Sequence, residues 1–339
     1  MTATAALGRR VTPTARLVLP ATADRDMWLA ARRNGIGSSD VPDCLEVGYK
    51  TPSHVYYGKL GELPPEDLGE PGLWGTLHEE TIAREWARRN RSVVRRVGLI
   101  AHIDQPWMMC TLDRQVAECP LSRDVRERCA LEVKHRDAWV AKRWKRAVPD
   151  DVLAQTLWQI AVSGYDHIHT AVLIGGNNYR QHVVRRAGNE QLISDIVTVA
   201  GQMWQRIQDR TPPPTTGEPE RLLDLWDRLY PDRDGVADLD QTDAHEHLLG
   251  YEDARLRAAA AEKEKKAEKA RLIEALGPHR MGAFGNDYAY GLQEVGIAPD
   301  VDLELLAEKY PQAYAECVTE RTTLKIHIDK QHRLTEPLS

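Results

Sequence analysis

Residues 130–137 read ALEVKHRD, and this stretch places the charged residues Glu132 and Lys134 two positions apart between apolar residues. Side chains of a β-strand alternate between its two faces, so both charged groups would point the same way while Leu131 and Val133 fill the opposite face. The pattern therefore predicts a half-buried strand. Its charged face is either a solvated surface or one side of a functional site.

The composition of the 339 residues, 42% hydrophobic and 28% charged, is typical of a soluble protein with one large domain or two ordinary ones. The sequence contains no run of eighteen apolar residues, so we expect no transmembrane helix. The N-terminus lacks the charged-then-apolar order of a secretory signal. These features favour a cytoplasmic protein.

The five cysteines are odd in number and form no C-x-x-C pair. This spacing argues against a disulfide framework and against a zinc or iron–sulfur site. The sequence therefore predicts reduced cysteines and no cysteine-based metal centre.

The net charge of −6 is distributed unevenly along the chain. Residues 1–210 carry a net charge of about +4, and residues 211–339 carry about −10. Because a phosphate-binding surface needs positive charge, we expect any such surface in the first two-thirds of the chain.

A proline-rich segment, TPPPTTGEPE at 211–220, marks the clearest boundary in the chain, because consecutive prolines continue neither a helix nor a central strand. Helical and strand patterns alternate before it, which predicts an α/β core. An Ala-, Glu- and Lys-rich run and a Gly-Asn-Asp turn follow it and predict a long helix and a hairpin. We predict four parts, which are an N-terminal arm 1–25, a core 26–210, a Pro-rich linker 211–240 and a C-terminal accessory region 241–339.

The helical stretch before residue 90 carries an acidic side chain on its apolar face. Glu79 lies three, four and seven positions before Ile82, Ala83 and Trp86, so the four residues share one stripe. A carboxylate that faces the core is costly unless it is paired or binds a metal. Glu79 is therefore either paired with an arginine or part of a metal site.

Asp113 lies in an apolar, strand-like run at 107–116. A polar loop suited to a hairpin separates this run from the strand that carries Glu132 and Lys134. The three side chains can therefore meet at adjacent strand ends. Two carboxylates and a lysine in this order suit a metal-dependent nuclease. The carboxylates would hold Mg²⁺, which polarises a phosphate and acidifies a water, and the lysine would orient that water.

Two further segments place polar groups where a water or a substrate could bind. Gln155 lies on the inward face of a predicted helix, where its amide either positions a water or caps a neighbouring strand. A Gly-rich turn followed by Ser38, Ser39 and Asp40 forms either a plain helix N-cap or, with Arg32, a phosphate site.

Together these segments resemble the phage lambda exonuclease family, known also as YqaJ-type viral recombinases, within the PD-(D/E)xK nuclease superfamily. The resemblance runs from about Trp28 to Pro214. It rests on five motifs in the family's order, which are W-x3-R-x-x-G-I-G-S-S-D (28–40), W-G-T-x-x-E (74–79), L-D (112–113), L-E-V-K (131–134) and A-Q-x-x-W (154–158). The segment VLIGGNNYRQHVVRR at 172–186 is similar to the hairpin that follows in the family.

The resemblance implies an α/β (α+β) fold with a restriction-endonuclease-like core, in which helices flank a central mixed sheet. The predicted C-terminal helix and hairpin would extend this core. The resemblance also implies a set of catalytic side chains, which are Glu79, Asp113, Glu132, Lys134 and Gln155. Metal would be held by Asp113, Glu132, Glu79 and the backbone carbonyl of Val133, and the 5′-phosphate of a DNA end by Arg32, Ser38 and Ser39.

The sequence departs from the family pattern at two positions. Arg114 follows Asp113 where the family usually has glycine, and Val152 stands where an aromatic residue is common. Arg114 affects the turn after the strand that carries Asp113, and Val152 affects one contact with the substrate.

The activity implied by the resemblance is Mg²⁺-dependent 5′-to-3′ digestion of linear double-stranded DNA, with two ions per site and Mn²⁺ as a substitute. The 3′ single-stranded tails would serve recombination by strand annealing. The implied partners are duplex DNA ends, a single-strand annealing protein and further copies of the chain in a ring-like trimer, with no membrane. The implied setting is a phage or prophage protein in the bacterial cytoplasm.

Two other functions remain open from the residues themselves. The same core could be an endonuclease or a Cas4-like processing nuclease, although the missing cysteine quartet argues against the Cas4-like version. The second possible function is that of a DNA-binding protein without turnover. The complete set of Asp113, Glu132 and Lys134 argues against it. The acidic residues 211–339 are either a module for protein contacts or a lid that completes the cover of the core.

Overall fold

The structure is a computed structural model that describes residues 8–64, 69–122, 129–239, 241–294, 301–319 and 325–338. The chain divides into two compact units, Met1–Arg233 and Asp234–Ser339. All of the predicted site residues lie in the first unit.

The first unit contains eight strands and seven α-helices among its described residues. The strands are β1 (Ala15–Pro20), β2 (Val94–Arg95), β3 (Gly98–His102), β4 (Met109–Thr111), β5 (Arg114–Val116), β6 (Cys129–Arg136), β7 (His167–Ile174) and β8 (Asn178–Arg185). The helices are α1 (Arg25–Arg32), α2 (Val41–Cys44), α3 (Pro52–Leu60), α4 (Gly69–Asn90), α5 (Asp150–Ser163), α6 (Glu190–Gln208) and α7 (Pro219–Leu229). A 3-10 segment at Ala138–Trp144 follows β6.

The central sheet has five strands in the order β2-β5-β6-β7-β8. Strands β6 and β7 pair in parallel and the other neighbours pair antiparallel, so the sheet is mixed. A smaller sheet with the order β1-β3-β4 lies in the same unit. The predicted fold class, a mixed sheet flanked by helices, is confirmed, and β5 and β6 form the predicted hairpin pair.

Helices cover the central sheet on both faces. Leu131 and Val133 of β6 pack in one apolar cluster with Trp86 of α4, whereas Ala130 packs in the other cluster with Trp158 of α5. All five residues from Cys129 to Val133 are buried as a result. The predicted alternation of β6 is therefore present, but the strand is covered on both faces rather than half-buried, and Glu132 lies on the face toward α5.

The ends of the first unit differ from the predicted arm and linker. Strand β1 lies within the segment predicted as an N-terminal arm and pairs antiparallel with β3. Helix α7 lies within the predicted linker, where it buries Leu225 completely and places Trp226 5.8 Å from the ring of Tyr57 on α3. Apolar burial thus extends the first unit to Arg233.

The second unit begins with a 36-residue helix, α8 (Gln241–Leu276), followed by a hairpin of β9 (Met281–Phe284) and β10 (Asp287–Gly291). Two short helices, α9 (Leu303–Lys309) and α10 (Pro311–Cys317), follow. The predicted long helix and hairpin are therefore present. No helix in the described parts of the chain combines the length and the apolar character needed to span a membrane.

Candidate active site

Asp113 lies in the short connection between β4 and β5, where the chain passes from the small sheet to the central one. Its Oδ2 atom accepts a hydrogen bond of 2.7 Å from the backbone N–H of Val133. Val133 stands between Glu132 and Lys134 on β6. The structure therefore brings Asp113 close to Glu132 and Lys134, the two charged side chains that the strand pattern placed on one face of β6.

Glu132 is almost completely buried, with 1% of its surface exposed, and three side chains donate to its carboxylate. Lys134 Nζ and Gln155 Nε2 donate to Oε1, the latter at 2.7 Å, and Gln159 Nε2 donates to Oε2 at 2.6 Å. Lys134 Nζ also donates to Gln155 Oε1 at 2.9 Å. This charged face is therefore a closed polar network and not the solvated surface that the strand pattern also allowed.

Helix α5 supplies both amides that hold Glu132. Gln155 and Gln159 are one helical turn apart, so they lie on the same side of the helix. The sequence analysis identified Gln155 but missed Gln159, although the i, i+4 spacing was a usable signal. Gln159 Nε2 also lies 3.3 Å from the backbone carbonyl of Thr111, which ties α5 to the strand that precedes Asp113.

Glu79 is paired with an arginine, as one of the two sequence interpretations expected. Nη1 of the buried Arg114 lies 2.5 Å from Glu79 Oε1, and Nη2 lies 2.6 Å from Glu80 Oε2. Nη1 also donates to the backbone carbonyl of Asp113 at 2.5 Å. Arg114 therefore connects the acidic side of α4 to the backbone of Asp113.

The electrostatics of the site favour a bound cation. Burial, followed by the neighbouring Glu132 carboxylate, raises the pKa of Asp113 well above its ordinary value, and Glu79 adds to this shift while Lys134 opposes it. A divalent cation would relieve this repulsion. The carboxylates of Asp113 and Glu132 and the Val133 carbonyl offer hard oxygen atoms, the donor type that Mg²⁺ and Mn²⁺ prefer, so the residues fit such an ion.

A second polar group surrounds Asp40. Arg32 Nη2 donates to Ser39 Oγ at 2.5 Å and to Asp40 Oδ1 at 3.1 Å, and Lys59 Nζ lies 2.5 Å from Asp40 Oδ2. Burial opposes ionisation of Asp40, but Lys59 and Arg32 outweigh it and hold the pKa of this carboxyl below its ordinary value. Ser39 is exposed, whereas Ser38 is buried in the same turn.

The turn before α2 is not a plain helix cap. Asp40 occupies the N-cap position of α2, but its side chain makes no capping hydrogen bond there. Its Oδ2 atom instead accepts from the backbone N–H of Gly37 at 2.7 Å. The turn is held to the core by Ile36, whose N–H donates to the Trp107 carbonyl at 2.8 Å and whose carbonyl accepts from Met109 N–H at 2.9 Å.

The predicted site residues thus fall into two groups. In the first group, direct contacts or the Val133 backbone join Asp113, Glu132, Lys134 and Gln155, and Arg114 connects Glu79 to Asp113. The second group contains Arg32, Ser38 and Ser39. The backbone pairing of Ile36 with the strand that leads to Asp113 links the second group to the first.

The fold and the site together define an α/β domain with a buried acidic centre beside a lysine. Residues 27–166 match the family model described as the YqaJ-like viral recombinase domain. The resemblance inferred from the motifs is confirmed, and the matched range includes every predicted site residue.

Comparison with individual proteins gives one curated relative and similar solved structures. The chain is 30% identical over 186 residues to the uncharacterized protein YqaJ of Bacillus subtilis (strain 168). That match covers 53% of this chain and 55% of the relative, so the chain spans about half the length of the curated protein.

Two of the similar structures are of the alkaline exonuclease LHK-Exo from Laribacter hongkongensis. The first is 17% identical, covers 55% of this chain and 94% of that protein, and has a TM-score of 0.46. The second, a complex of LHK-Exo with dAMP, is 19% identical with the same coverage and a TM-score of 0.45.

Proposed function

We propose that this protein is a divalent-metal-dependent deoxyribonuclease, specifically an exonuclease that digests linear double-stranded DNA in the 5′-to-3′ direction. The observation that carries the proposal is the network around Glu132, in which a buried carboxylate contacts Lys134 and Gln155 beside Asp113. The match of residues 27–166 to the YqaJ-like viral recombinase domain supports it.

Each side chain of the network has a distinct role in the proposed reaction. Asp113, Glu132 and the Val133 carbonyl would hold the metal, with Glu79 assisting from α4. Two ions of Mg²⁺ or Mn²⁺ bound there would supply Lewis acidity toward the scissile phosphate and the attacking water. Lys134 stabilises charge that develops on the phosphate, and Gln155 positions the water. The hydrogen bond from Val133 N–H to Asp113 holds the Asp113 carboxylate beside β6.

The group around Arg32 is the proposed anchor for the 5′-phosphate of a DNA end. Arg32 and Lys59 bring two positive charges to the one negative charge of Asp40, which leaves one positive charge for a phosphate oxygen. The exposed hydroxyl of Ser39 supplies a further donor, and the buried Ser38 precedes it in the same turn. Such an anchor would define which strand is digested and where digestion starts.

The wider setting of the enzyme follows from the same proposal. The products are 3′ single-stranded tails for recombination by strand annealing, with a single-strand annealing protein as partner. Copies of the chain form a ring-like trimer around the duplex, in the bacterial cytoplasm. The acidic second unit is an accessory region for protein contacts. The trimer is tested by size-exclusion chromatography with light scattering.

A digestion time course on end-labelled duplex DNA tests the activity. Wild-type protein should release nucleotides from linear DNA with Mg²⁺ or Mn²⁺ and not when the metal is omitted. Asp113→Asn and Glu132→Gln should reduce the rate to about 1% or less, because each weakens metal binding without removing side-chain volume. Asp195→Asn, an exposed acid on α6, is the matched control and should digest DNA at the wild-type rate.

The same assay separates the competing functions. Cutting of covalently closed circular duplex would identify an endonuclease. Binding of DNA without any turnover in Mg²⁺ or Mn²⁺ would identify a non-catalytic DNA-binding protein. If Asp113→Asn and Glu132→Gln both digest DNA like the wild type, the proposed site is wrong.

A further inference from the structure

The structure assembles two cysteines and two histidines that are far apart in the sequence. Cys119 follows β5, Cys129 is the first residue of β6, and His167 and His169 lie two apart on β7. One ligand atom from each residue can be chosen so that all four lie within 4.8 Å of one another. The expectation of no cysteine-based metal site rested on spacing along the chain, which does not reveal that the fold brings these four residues together.

Two distances inside this Cys₂His₂ cluster are close to those between ligand atoms around a single tetrahedral ion. Cys119 Sγ lies 3.2 Å from His167 Nε2 and 3.5 Å from His169 Nε2. A zinc ion with ordinary Zn–S and Zn–N bonds places its ligand atoms about 3.4 to 3.8 Å apart. Cys119 Sγ, His167 Nε2 and His169 Nε2 are therefore close enough together to bind the same ion. An iron–sulfur cluster with mixed ligands differs, because its cysteines and histidines are divided between two irons.

The Cys₂His₂ cluster is closed to solvent. Cys119, Cys129 and His169 are buried, and the ring of Trp86 on α4 lies 4.9 Å from the ring of His169. The backbone N–H of Leu121 lies 3.4 Å from Cys119 Sγ, in position to donate to a thiolate. Supporting hydrogen bonds of this kind are typical of metal-bound cysteine.

The cluster is separate from the candidate active site. Leu131 pairs with His169 and Glu132 pairs with Thr170 across β6 and β7, so the two sites use opposite faces of the sheet. The Cys₂His₂ cluster lies on the face toward α4, whereas Glu132 faces α5. A metal in the cluster would therefore lie across the sheet from the Glu132 carboxylate.

We propose that Cys119, Cys129, His167 and His169 bind one structural Zn²⁺ ion. Two thiolates and two imidazoles fill all four positions of a tetrahedral zinc, so the ion has no open position for catalysis. It joins the connection between β5 and β6 to the neighbouring strand β7. Because Cys129 starts the strand that carries Glu132 and Lys134, the ion fixes the register of that strand at its N-terminal end.

Metal analysis of the untagged, full-length protein tests the proposal directly. Protein purified without chelator should contain about one zinc ion per chain. Replacement of zinc by Co²⁺ should give the visible bands of a tetrahedral ion and a near-ultraviolet thiolate-to-cobalt band. Less than about 0.1 zinc ion per chain, with no rise in Tm when Zn²⁺ is added to the reduced protein, would overturn the proposal.

Variants of the ligands provide the second test. Cys119→Ala and Cys129→Ala should lose the zinc and lower the Tm by about 5 °C or more, because the bound ion stabilises only the folded state. Cys44→Ala, another buried cysteine, is the matched control and should retain full zinc content. Where a ligand variant fails to fold, the cobalt spectrum of the wild type decides the matter.

Two outcomes would replace the proposal by another interpretation. A Cys119–Cys129 disulfide in freshly purified protein, detected as a mass loss of about 2 Da, would show that the thiols pair with each other. Zinc retained in both cysteine variants would place the ion elsewhere in the chain. Neither result depends on nuclease activity, so this site and the proposed function can fail independently.

Discussion

The side-chain amide of Gln159 donates to Glu132 Oε2 at 2.6 Å, and both residues are only 1% exposed. Gln155 holds the other oxygen of the same carboxylate, so one face of α5 fixes the orientation of Glu132. Within the described residues, Gln159 Oε1 is buried without a hydrogen-bond partner. The amide is therefore oriented through its nitrogen, which contacts the Glu132 carboxylate and the Thr111 carbonyl, and not through its oxygen.

Loss of this amide should impair cleavage although Gln159 is not a proposed metal ligand. Gln159→Ala frees Glu132 Oε2, and we expect the single-turnover cleavage rate to fall about tenfold to a hundredfold. Circular dichroism should show an intact fold. Gln191→Ala, an exposed glutamine on α6, is the control and should leave the rate unchanged. A wild-type rate in Gln159→Ala would mean that Gln155 alone is enough to orient the carboxylate.

Removal of the lysine should separate binding from chemistry. Lys134→Met should slow cleavage at least a hundredfold while DNA still binds in a gel-shift assay, because the lysine charge acts mainly on the transition state. It also leaves the buried Glu132 unpaired, so the free energy of unfolding should fall by about 3 kcal/mol. Urea unfolding of the double variant Glu132→Gln, Lys134→Met should recover much of that loss. Normal cleavage by Lys134→Met would exclude a catalytic role for this lysine.

The pairing of Arg114 with α4 should be visible as coupling between two substitutions. Arg114 is 3% exposed and Glu79 is 32% exposed, so we expect Arg114→Ala to lower the free energy of unfolding by about 3 kcal/mol. In a double-mutant cycle with Glu79→Gln, the stability lost in the double variant should be about 1 kcal/mol smaller than the sum of the losses in the two single variants. Arg84→Ala removes an exposed partner of Glu80 and should change stability by less than about 0.5 kcal/mol. Fully additive losses would mean that the contact contributes little.

Substitutions in the turn around Asp40 should act on the choice of DNA end. Arg32→Ala should shrink the preference for 5′-phosphorylated over 5′-hydroxyl ends about thirtyfold, because an arginine–phosphate contact contributes about 2 kcal/mol. Ser39→Ala should have a smaller effect in the same direction. Arg25→Ala, at the exposed start of α1, is the control. An unchanged ratio of rates in Arg32→Ala would assign Arg32 to the structural pair with Asp40 alone.

A pH dependence of stability is expected from Asp43. Burial raises its pKa to about 6, with Asp40 adding to the shift and Lys50 and Arg221 opposing it. The native state thus holds this proton more tightly than the unfolded chain, so the free energy of unfolding falls as pH rises from about 4 to about 6.

Asp43→Asn removes this titration while its side-chain oxygen can still accept the 2.9 Å hydrogen bond from Lys50 N–H. The Tm of Asp43→Asn should exceed that of the wild type at pH 8, by the equivalent of about 2 kcal/mol. The difference should shrink toward zero near pH 4. A difference that stays constant between pH 4 and pH 8 would contradict the raised pKa.

Much of the candidate site could be predicted from the sequence because its signals are local. The alternation in ALEVKHRD placed Glu132 and Lys134 on one face of β6, and the helical stripe placed Glu79 beside Ile82 and Trp86. The long C-terminal helix and its hairpin followed from propensity and turn chemistry in the same way. Periodicity of this kind depends on neighbours a few residues away, which the sequence displays directly.

Tertiary structure decided which partners those side chains meet. Only the packing of α5 against β6 shows that Gln159 holds Glu132, and only the approach of β5 to α4 gives Glu79 its arginine. The Cys₂His₂ cluster joins Cys119 to His167, which are 48 positions apart. The sequence determined which faces of its strands and helices carry charge, because that follows from backbone geometry. Which faces meet depends on apolar burial between distant segments, and so only the folded chain decides it.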